Sequence, residues 1–173
     1  MKRLLCLSFL ALSLGGYGQS SFVVRPSLGN PDLTDASGKA LQMSTAGVGQ
    51  TVKLVVPVYN NSFAVAVRAG SGRLELDLGP SGVGLEVVSV GVSGVFSWDK
   101  PVTVGGHVII TGRLVSSLGA GYVGSETVVL RATAPLNTRV RARWIDSTPP
   151  ATKRSDIFAE MQIRVVGTQI SKN

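Results

Sequence analysis

Hydrophobic and polar residues alternate at a spacing of two along most of the chain. In the segment 74–78, three leucines occupy every second position, and Glu75 and Asp77 lie between them. Successive side chains of a strand point to opposite faces, so this spacing predicts strands with one buried and one hydrated face. Similar patterns recur in the segments 52–58, 85–90, 107–111, 127–133, 139–144 and 159–165.

Turn-forming residues separate these segments. Clusters of glycine, proline, asparagine and serine occur at 60–62, 70–72, 79–82, 105–106 and 147–150. No segment shows a convincing helical period. Short strands between turns predict an all-β fold, an antiparallel immunoglobulin-like β-sandwich of roughly seven to nine strands, with a closed barrel as the alternative. We expect a single domain over residues 19–173, in which the polar part 19–46 is loosely defined.

The first eighteen residues are organised like a secretory signal peptide. A basic start, Met1-Lys2-Arg3, precedes an apolar run at 4–14, and small residues at Gly16 and Gly18 precede a cleavage point before Gln19. The apolar run is shorter than the roughly 20 residues that span a bilayer. We therefore expect a secreted protein, extracellular or at the cell surface with the periplasm as the alternative, and not an integral membrane protein.

The only cysteine, Cys6, lies inside the apolar run. The mature chain is therefore expected to have no disulfide, no thiolate metal site and no cysteine nucleophile. Without Lys2 and Arg3, fifteen basic residues face ten acidic ones, a net charge near +5. This excess favours anionic neighbours. In a secreted protein these are glycans and cell envelopes, so we expect no nucleic-acid partner.

The stretch 116–124 contains Gly119-x-Gly121-x-x-Gly124, the spacing of a dinucleotide-binding turn. That turn needs a helix after its glycines and an acid about 20 residues later. Here the residues after Gly124 are rich in β-branched side chains, which predicts a strand, and the segment 139–143 carries arginines instead of an acid. We interpret the stretch as a hairpin loop and expect no nucleotide.

No arrangement of residues predicts catalysis. His107 is the only histidine, and its position at the start of a strand favours a surface side chain. The chain has no Gly-x-Ser-x-Gly elbow and too few histidines for a zinc site. Glu75 and Asp77 are expected to hydrate a strand face, and calcium binding around Asp32 and Asp35 lacks the usual loop. We expect no enzyme and no cofactor, with a secreted hydrolase as the least favoured hypothesis.

The most distinctive surface feature is the row Arg139, Arg141 and Arg143. Strand geometry places the three guanidinium groups on one face, where they can bind carboxylates or phosphates through two hydrogen bonds each. The ordinary alternative is a hydrated face whose arginines pair with acids on a neighbouring strand, such as Glu160. The sharper hypothesis is a site for a protein partner or an anionic glycan.

Two aromatic residues are candidates for stacking on a sugar. Trp98 lies near a strand end, and Tyr122 lies in the loop that contains the glycine motif. Core packing is the commoner use of such residues, and Trp144 is expected in the core because it shares a face with Val140 and Ala142. A carbohydrate-binding module is therefore the second hypothesis for the function.

The segment 49–62, GQTVKLVVPVYNNS, resembles the opening strands of bacterial immunoglobulin-like extracellular modules, the adhesion-related and conserved-repeat surface domains. Residues 111–114 and 118–121 are similar to the middle of these modules, and Ile145-Asp146 to their end. Cohesin-like modules are nearly as similar. The resemblance covers much of residues 45–166 and implies a non-catalytic module for adhesion or protein–protein contact, with no catalytic site.

The segment 20–26, SSFVVRP, follows the expected cleavage point. Small secreted sandwiches can polymerise by adding a terminal strand to a neighbour's sheet. This segment is a candidate donor, so a strand-exchanging subunit of an extracellular filament is a further hypothesis. The simpler interpretation is that the segment is the first strand of its own sandwich.

Overall fold

The computed structural model describes residues 26–91, 93–145 and 157–167. Twelve strands and one 3₁₀ turn, Gln42–Ser44, lie within these ranges. The strands are β1 (Pro26–Leu28), β2 (Asp32–Asp35), β3 (Thr45–Gly47), β4 (Thr51–Asn60), β5 (Arg73–Pro80), β6 (Leu85–Val90), β7 (Phe96–Trp98), β8 (Val102–Val104), β9 (His107–Leu114), β10 (Val123–Ala132), β11 (Leu136–Ile145) and β12 (Phe158–Val166). Seven of them have six or more residues, within the expected range. The other five have three or four residues, and strands this short cannot be identified from alternation in the sequence.

The strands form two sheets. Sheet A has the order β1-β4-β10-β6, with β2 also paired to β4. Sheet B has the order β3-β12-β11-β5-β9-β7, with β8 also paired to β9. The described strand pairings are antiparallel, as expected, except that of β3 with β12, which is parallel. It arises because β3 reaches the edge of sheet B from β2 in sheet A, and no hairpin joins it to β12.

The core lies between the inner faces of the two sheets. Leu74, Leu76 and Leu78 point inward from β5, as the alternation predicts. Trp144 is also buried, and its ring meets Phe96 edge-on at 5.9 Å between centroids. Since two separate sheets enclose this core, the sandwich is confirmed and the closed barrel is wrong.

The polar region before β4 is more ordered than its sequence indicates. β1 and β2 both pair with β4, and Leu33 of β2 is completely buried. The expected signal peptide and most of the donor segment 20–26 lie outside the described residues; Pro26 belongs to β1.

The glycine motif forms a turn that leads into a strand. The Tyr122 amide donates to the Gly119 carbonyl at 3.1 Å, and Gly121 has a φ of 69°. β10 begins at Val123 and includes Gly124. A strand therefore follows the motif, as predicted, and the helix that a dinucleotide turn requires does not.

Candidate binding surface

The three predicted arginines lie on the outer face of sheet B. β11 alternates between buried and exposed residues, and Arg139, Arg141 and Arg143 occupy its outward positions. Their side chains are 54%, 49% and 56% exposed. We call the outward side chains of β5, β9, β11 and β12 the charged face.

Carboxylates on both neighbouring strands pair with the arginines. Glu160 of β12 forms ion pairs with Arg139 at 3.3 Å and with Arg141 at 3.7 Å, which confirms the expected pairing across the sheet. Arg143 instead binds Glu75 of β5 at 2.7 Å, because the strand register places these two residues opposite each other. Each guanidinium is therefore paired with a carboxylate, while about half of each arginine side chain is exposed to solvent.

Glu75 and Asp77 do more than hydrate the face, which corrects the expectation from the sequence. Their side chains are only 24% and 21% exposed, because β5 lies between β11 and β9 in sheet B. Asp77 contacts His107 Nδ1 at 2.9 Å. These acids separate the arginines of β11 from the side chains of β9.

A shallow pocket of about 220 Å³ opens on the charged face. Its lining consists of Glu75, Asp77, Ile109, Arg141, Arg143 and Phe158. Phe158 is 41% exposed and lies beside Arg143 in the strand register. Phe158 was not among the residues predicted from the sequence, although its outward position, two residues before Glu160, is visible in the alternation of β12.

His107 is a half-exposed surface residue at the start of β9, as predicted. Its only hydrogen-bond partner among the described residues is Asp77, whose Oδ1 also accepts from the Gly79 amide at 2.9 Å. Within the described residues no hydroxyl side chain bonds to this pair. The geometry therefore has a carboxylate and an imidazole without a nucleophile, which does not favour the hydrolase hypothesis.

Trp98 and Tyr122 lie between the sheets, away from the arginines. Both are partly buried against the core. The Trp98 ring covers Gly112, where a Cβ would stand 2.9 Å from the ring, and the Tyr122 hydroxyl lies over Gly124 in the same way. Trp98 also lines an open groove beside Val88 of β6, and both aromatic residues lie apart from the arginine row.

Glu126, which the sequence analysis missed, lies close to both aromatic residues. It is 1% exposed, and Trp98 Nε1 donates to its Oε2 at 3.2 Å. Burial raises the pKa of Glu126, and hydrogen bonds from Ser93 and Trp98 partly oppose this effect. Burial, with the nearby Glu126 carboxylate, also raises the pKa of Tyr122. The alternation of β10 could have predicted the burial of Glu126, because Glu126 occupies an inward position like Val128 and Leu130.

Metal binding finds no support in the described part of the chain. No group of three or more histidine, cysteine, aspartate or glutamate residues is placed to hold an ion there. At the suggested calcium position, Asp35 Oδ1 already accepts from Ser37 and from the Lys39 amide, and the Ser37 bond contributes most to lowering the pKa of Asp35.

In residues 26–91, 93–145 and 157–167, no helix has the length and apolar character to cross a membrane.

Comparison with known proteins shows matches at the level of structure. No family model and no curated protein sequence matches the chain. A structure described as BspA_C_mut is 11% identical, with a TM-score of 0.51 and coverage of 82% of this chain and 52% of that one. This chain has the immunoglobulin-like sandwich fold.

Two further matches have slightly lower TM-scores. A CARDB domain from Pyrococcus furiosus is 14% identical, with a TM-score of 0.48 and coverage of 83% of this chain and 98% of that one. A cohesin module of a family 33 glycoside hydrolase from Clostridium perfringens is 9% identical, with a TM-score of 0.48 and coverage of 82% and 98%. The sequence resemblance to immunoglobulin-like extracellular modules, with cohesins as the near alternative, agrees with the sandwich that the two sheets form.

Proposed function

We propose that the protein is a secreted, non-catalytic binding or assembly module of a bacterial cell surface or extracellular structure, and that its charged face contacts a protein partner. The observation that supports this proposal is the row of three half-exposed arginines, each held by a carboxylate on an adjacent strand. The paired strands hold the backbone of this row in place, and the ion pairs to the carboxylates restrict the arginine side chains, which reduces the entropy lost when a partner binds.

The composition of the charged face favours a protein partner. Arginine and aromatic residues are enriched at the centres of protein interfaces, and Arg141, Arg143 and Phe158 line one pocket. Charges of both signs lie side by side, since Glu75, Asp77 and Glu160 flank the arginines. Such a pattern complements a partner that also carries both signs, and it disfavours partners of one sign.

An anionic glycan is the second candidate, because arginine forks in a row also suit the carboxylates of an acidic polysaccharide. The carboxylates beside each arginine weaken the attraction to such a polyanion. Trp98 and Tyr122 are partly buried against the core and do not line the pocket on the charged face, so they add no aromatic platform beside the arginines. The protein partner is therefore favoured.

The proposal is tested by a pull-down of the native secreted protein followed by binding measurements with two variants. The first variant is the triple substitution Arg139→Ser, Arg141→Ser and Arg143→Ser. The control is Lys53→Ser, Arg68→Ser and Arg131→Ser, which removes the same charge from residues outside the charged face. Exposed ion pairs contribute about 1 kcal/mol or less each, so both variants should remain folded.

We expect the first variant to lose at least about tenfold in affinity for the captured protein, which corresponds to about 1.4 kcal/mol, while the control stays near wild type. Equal losses in the two variants would show that net charge alone matters and would contradict a defined site. Capture of an acidic polysaccharide with no associated protein would support the second candidate instead.

A further inference from the structure

A groove runs between the edges of the two sheets on one side of the sandwich. β6 is the last strand of sheet A, and β7 lies at the corresponding edge of sheet B. The groove has a volume of about 570 Å³. Its apolar lining includes Val87, Val88, Val90, Phe96, Trp98 and Val115. Among the described strands, β6 pairs only with β10 and β7 only with β9.

Apolar side chains are exposed along this groove. Val88 and Val115 both line the groove, and their side chains are still 49% and 51% exposed to solvent. At Val88 the register between β6 and β10 shifts, and Val88 has no partner in β10. This bulge shortens the ladder that β6 can offer to an added strand, so such a strand would be held mainly by its side chains in the groove.

The chain before β1 contains a segment of suitable chemistry. With the expected cleavage after Gly18, seven residues, 19–25, precede Pro26. Phe22 and Val24 are two residues apart, so both point to one side when this segment is extended. That side matches an apolar groove between two sheets.

The segment cannot reach the groove of its own molecule. β1 and β6 are at opposite ends of the order β1-β4-β10-β6, so a position beyond β6 is four strand spacings, about 19 Å, from β1. Along the strand direction of sheet A, Pro26 is level with Tyr122. The groove begins near Thr127, which is about 17 Å farther in the same direction. The direct path from Pro26 to the start of the groove is therefore about 25 Å. Seven fully extended residues span at most about 25 Å, so the whole segment would be used to cover this path and no residue would remain to occupy the groove.

We propose that the groove between β6 and β7 accepts residues 19–25 of a second copy of this chain as an added strand, with Phe22 and Val24 among the apolar side chains of the groove. The mode is strand addition at a sheet edge. Each copy has one donor segment and one acceptor groove in different places, so the contact is head-to-tail and generates a chain of subunits. This inference is independent of the charged face.

The experiment uses the full secreted chain with two added cysteines, Val24→Cys and Val88→Cys; Cys6 precedes the expected cleavage point, so the secreted chain has no native thiol to interfere. Mild oxidation followed by non-reducing electrophoresis should give a ladder of dimers and larger oligomers. Val24→Cys combined with Val83→Cys is the matched control, because Val83 is 46% exposed but does not line the groove. It should stay monomeric, as should each single-cysteine variant.

A monomeric product closed by an internal disulfide would contradict the proposal, because the segment would then reach its own groove. Absence of cross-linking, or equal ladders with Val83→Cys, would also contradict it. Without cysteines, Val88→Lys should reduce the oligomer seen in size-exclusion chromatography while Val83→Lys leaves it unchanged. The Arg139→Ser, Arg141→Ser, Arg143→Ser variant should still form the ladder, so failure of the proposed function and failure of this inference are distinguishable.

Discussion

Asn60 is a polar residue with no exposed surface, at the end of β4. Its Nδ2 donates to the carbonyls of Val65, Leu118 and Gly119 at 2.9–3.0 Å, and its Oδ1 accepts from the Ser62 amide at 3.1 Å. One side chain thus ties the loop after β4 to the loop before β10. It holds together the end of the sandwich that carries the glycine motif.

Replacement of Asn60 by alanine should be strongly destabilising. The change removes the donor of the Val65 carbonyl and the acceptor of the Ser62 amide, whereas the Leu118 and Gly119 carbonyls keep the Val67 and Tyr122 amides as donors. Each unsatisfied group costs about 1–3 kcal/mol. We expect a loss of about 2–4 kcal/mol in the free energy of unfolding, measured by urea denaturation. Asn61→Ala is the control, because Asn61 is exposed and its Nδ2 bonds only to Ser27. Equal effects of the two substitutions would contradict this role of Asn60.

Glu126 makes the stability dependent on pH. Its pKa in the folded protein is raised above the unfolded value, so folding favours the protonated carboxyl. The resulting contribution to stability is fully present below the unfolded pKa and is lost as the pH rises through the folded pKa. Wild type should therefore lose stability, relative to Glu126→Gln, as the pH is raised from about 4 toward 8.

Thermal unfolding of both proteins across this pH range measures the effect. Glu126→Gln should have the higher melting temperature near neutral pH, since its side-chain oxygen can still accept from Trp98, and the difference should shrink in acid. The control Glu86→Gln alters an exposed carboxylate on β6 and should give no comparable trend. A difference between wild type and Glu126→Gln that does not change with pH would show that the buried carboxylate is not the cause.

At the scale of the elements, the strands of sheet B approach each other closely where glycine lies opposite a tryptophan. A Cβ at Gly72, just before β5, would overlap the ring of Trp144 on β11. The indole is almost fully buried and also packs on Phe96, so it has little freedom to move. This contact fixes how β5 and β11 meet at one end of the charged face.

Gly72→Ala should destabilise the protein by about 1–3 kcal/mol through overpacking against Trp144. Gly119→Ala is the matched control, because nothing lies within 4 Å of a Cβ there and its φ is not in the left-handed region. Urea denaturation of both variants measures the effect, and the fluorescence of Trp144 should also change for Gly72→Ala. A Gly72→Ala protein as stable as wild type would mean that the indole can shift freely.

The long strands were predictable from alternation, and the short ones were not. β11 and β12 each repeat the inward–outward pattern over at least eight residues, and β5 repeats it over the six residues 73–78, so their buried faces follow from the sequence. β1, β2 and β3 are defined by pairing with β4 and β12, which are distant in sequence. The arginine row was predictable for the same reason as the long strands, whereas the partners of Arg143 and His107 depend on which strands become neighbours.

For the whole molecule, the two sheets divide the polar chemistry between two places. The charged face lies outside sheet B, and Glu126 lies between the sheets with Trp98 and Tyr122. The sequence analysis grouped the two aromatic residues with the arginines as binding candidates, because a list of residue types does not show which face each side chain occupies. The fold separates them: the arginines lie on the outer face of sheet B, and Trp98 lines the groove between the sheet edges.

The central claim, that the charged face is the contact surface, is tested most directly by arginine-selective labelling. The secreted protein is labelled alone and when bound to its captured partner, and modification at each arginine is measured by mass spectrometry. Arg139, Arg141 and Arg143 should become protected on binding, while Arg68 and Arg131 keep their reactivity. Unchanged labelling of the three β11 arginines in the bound protein would contradict the account.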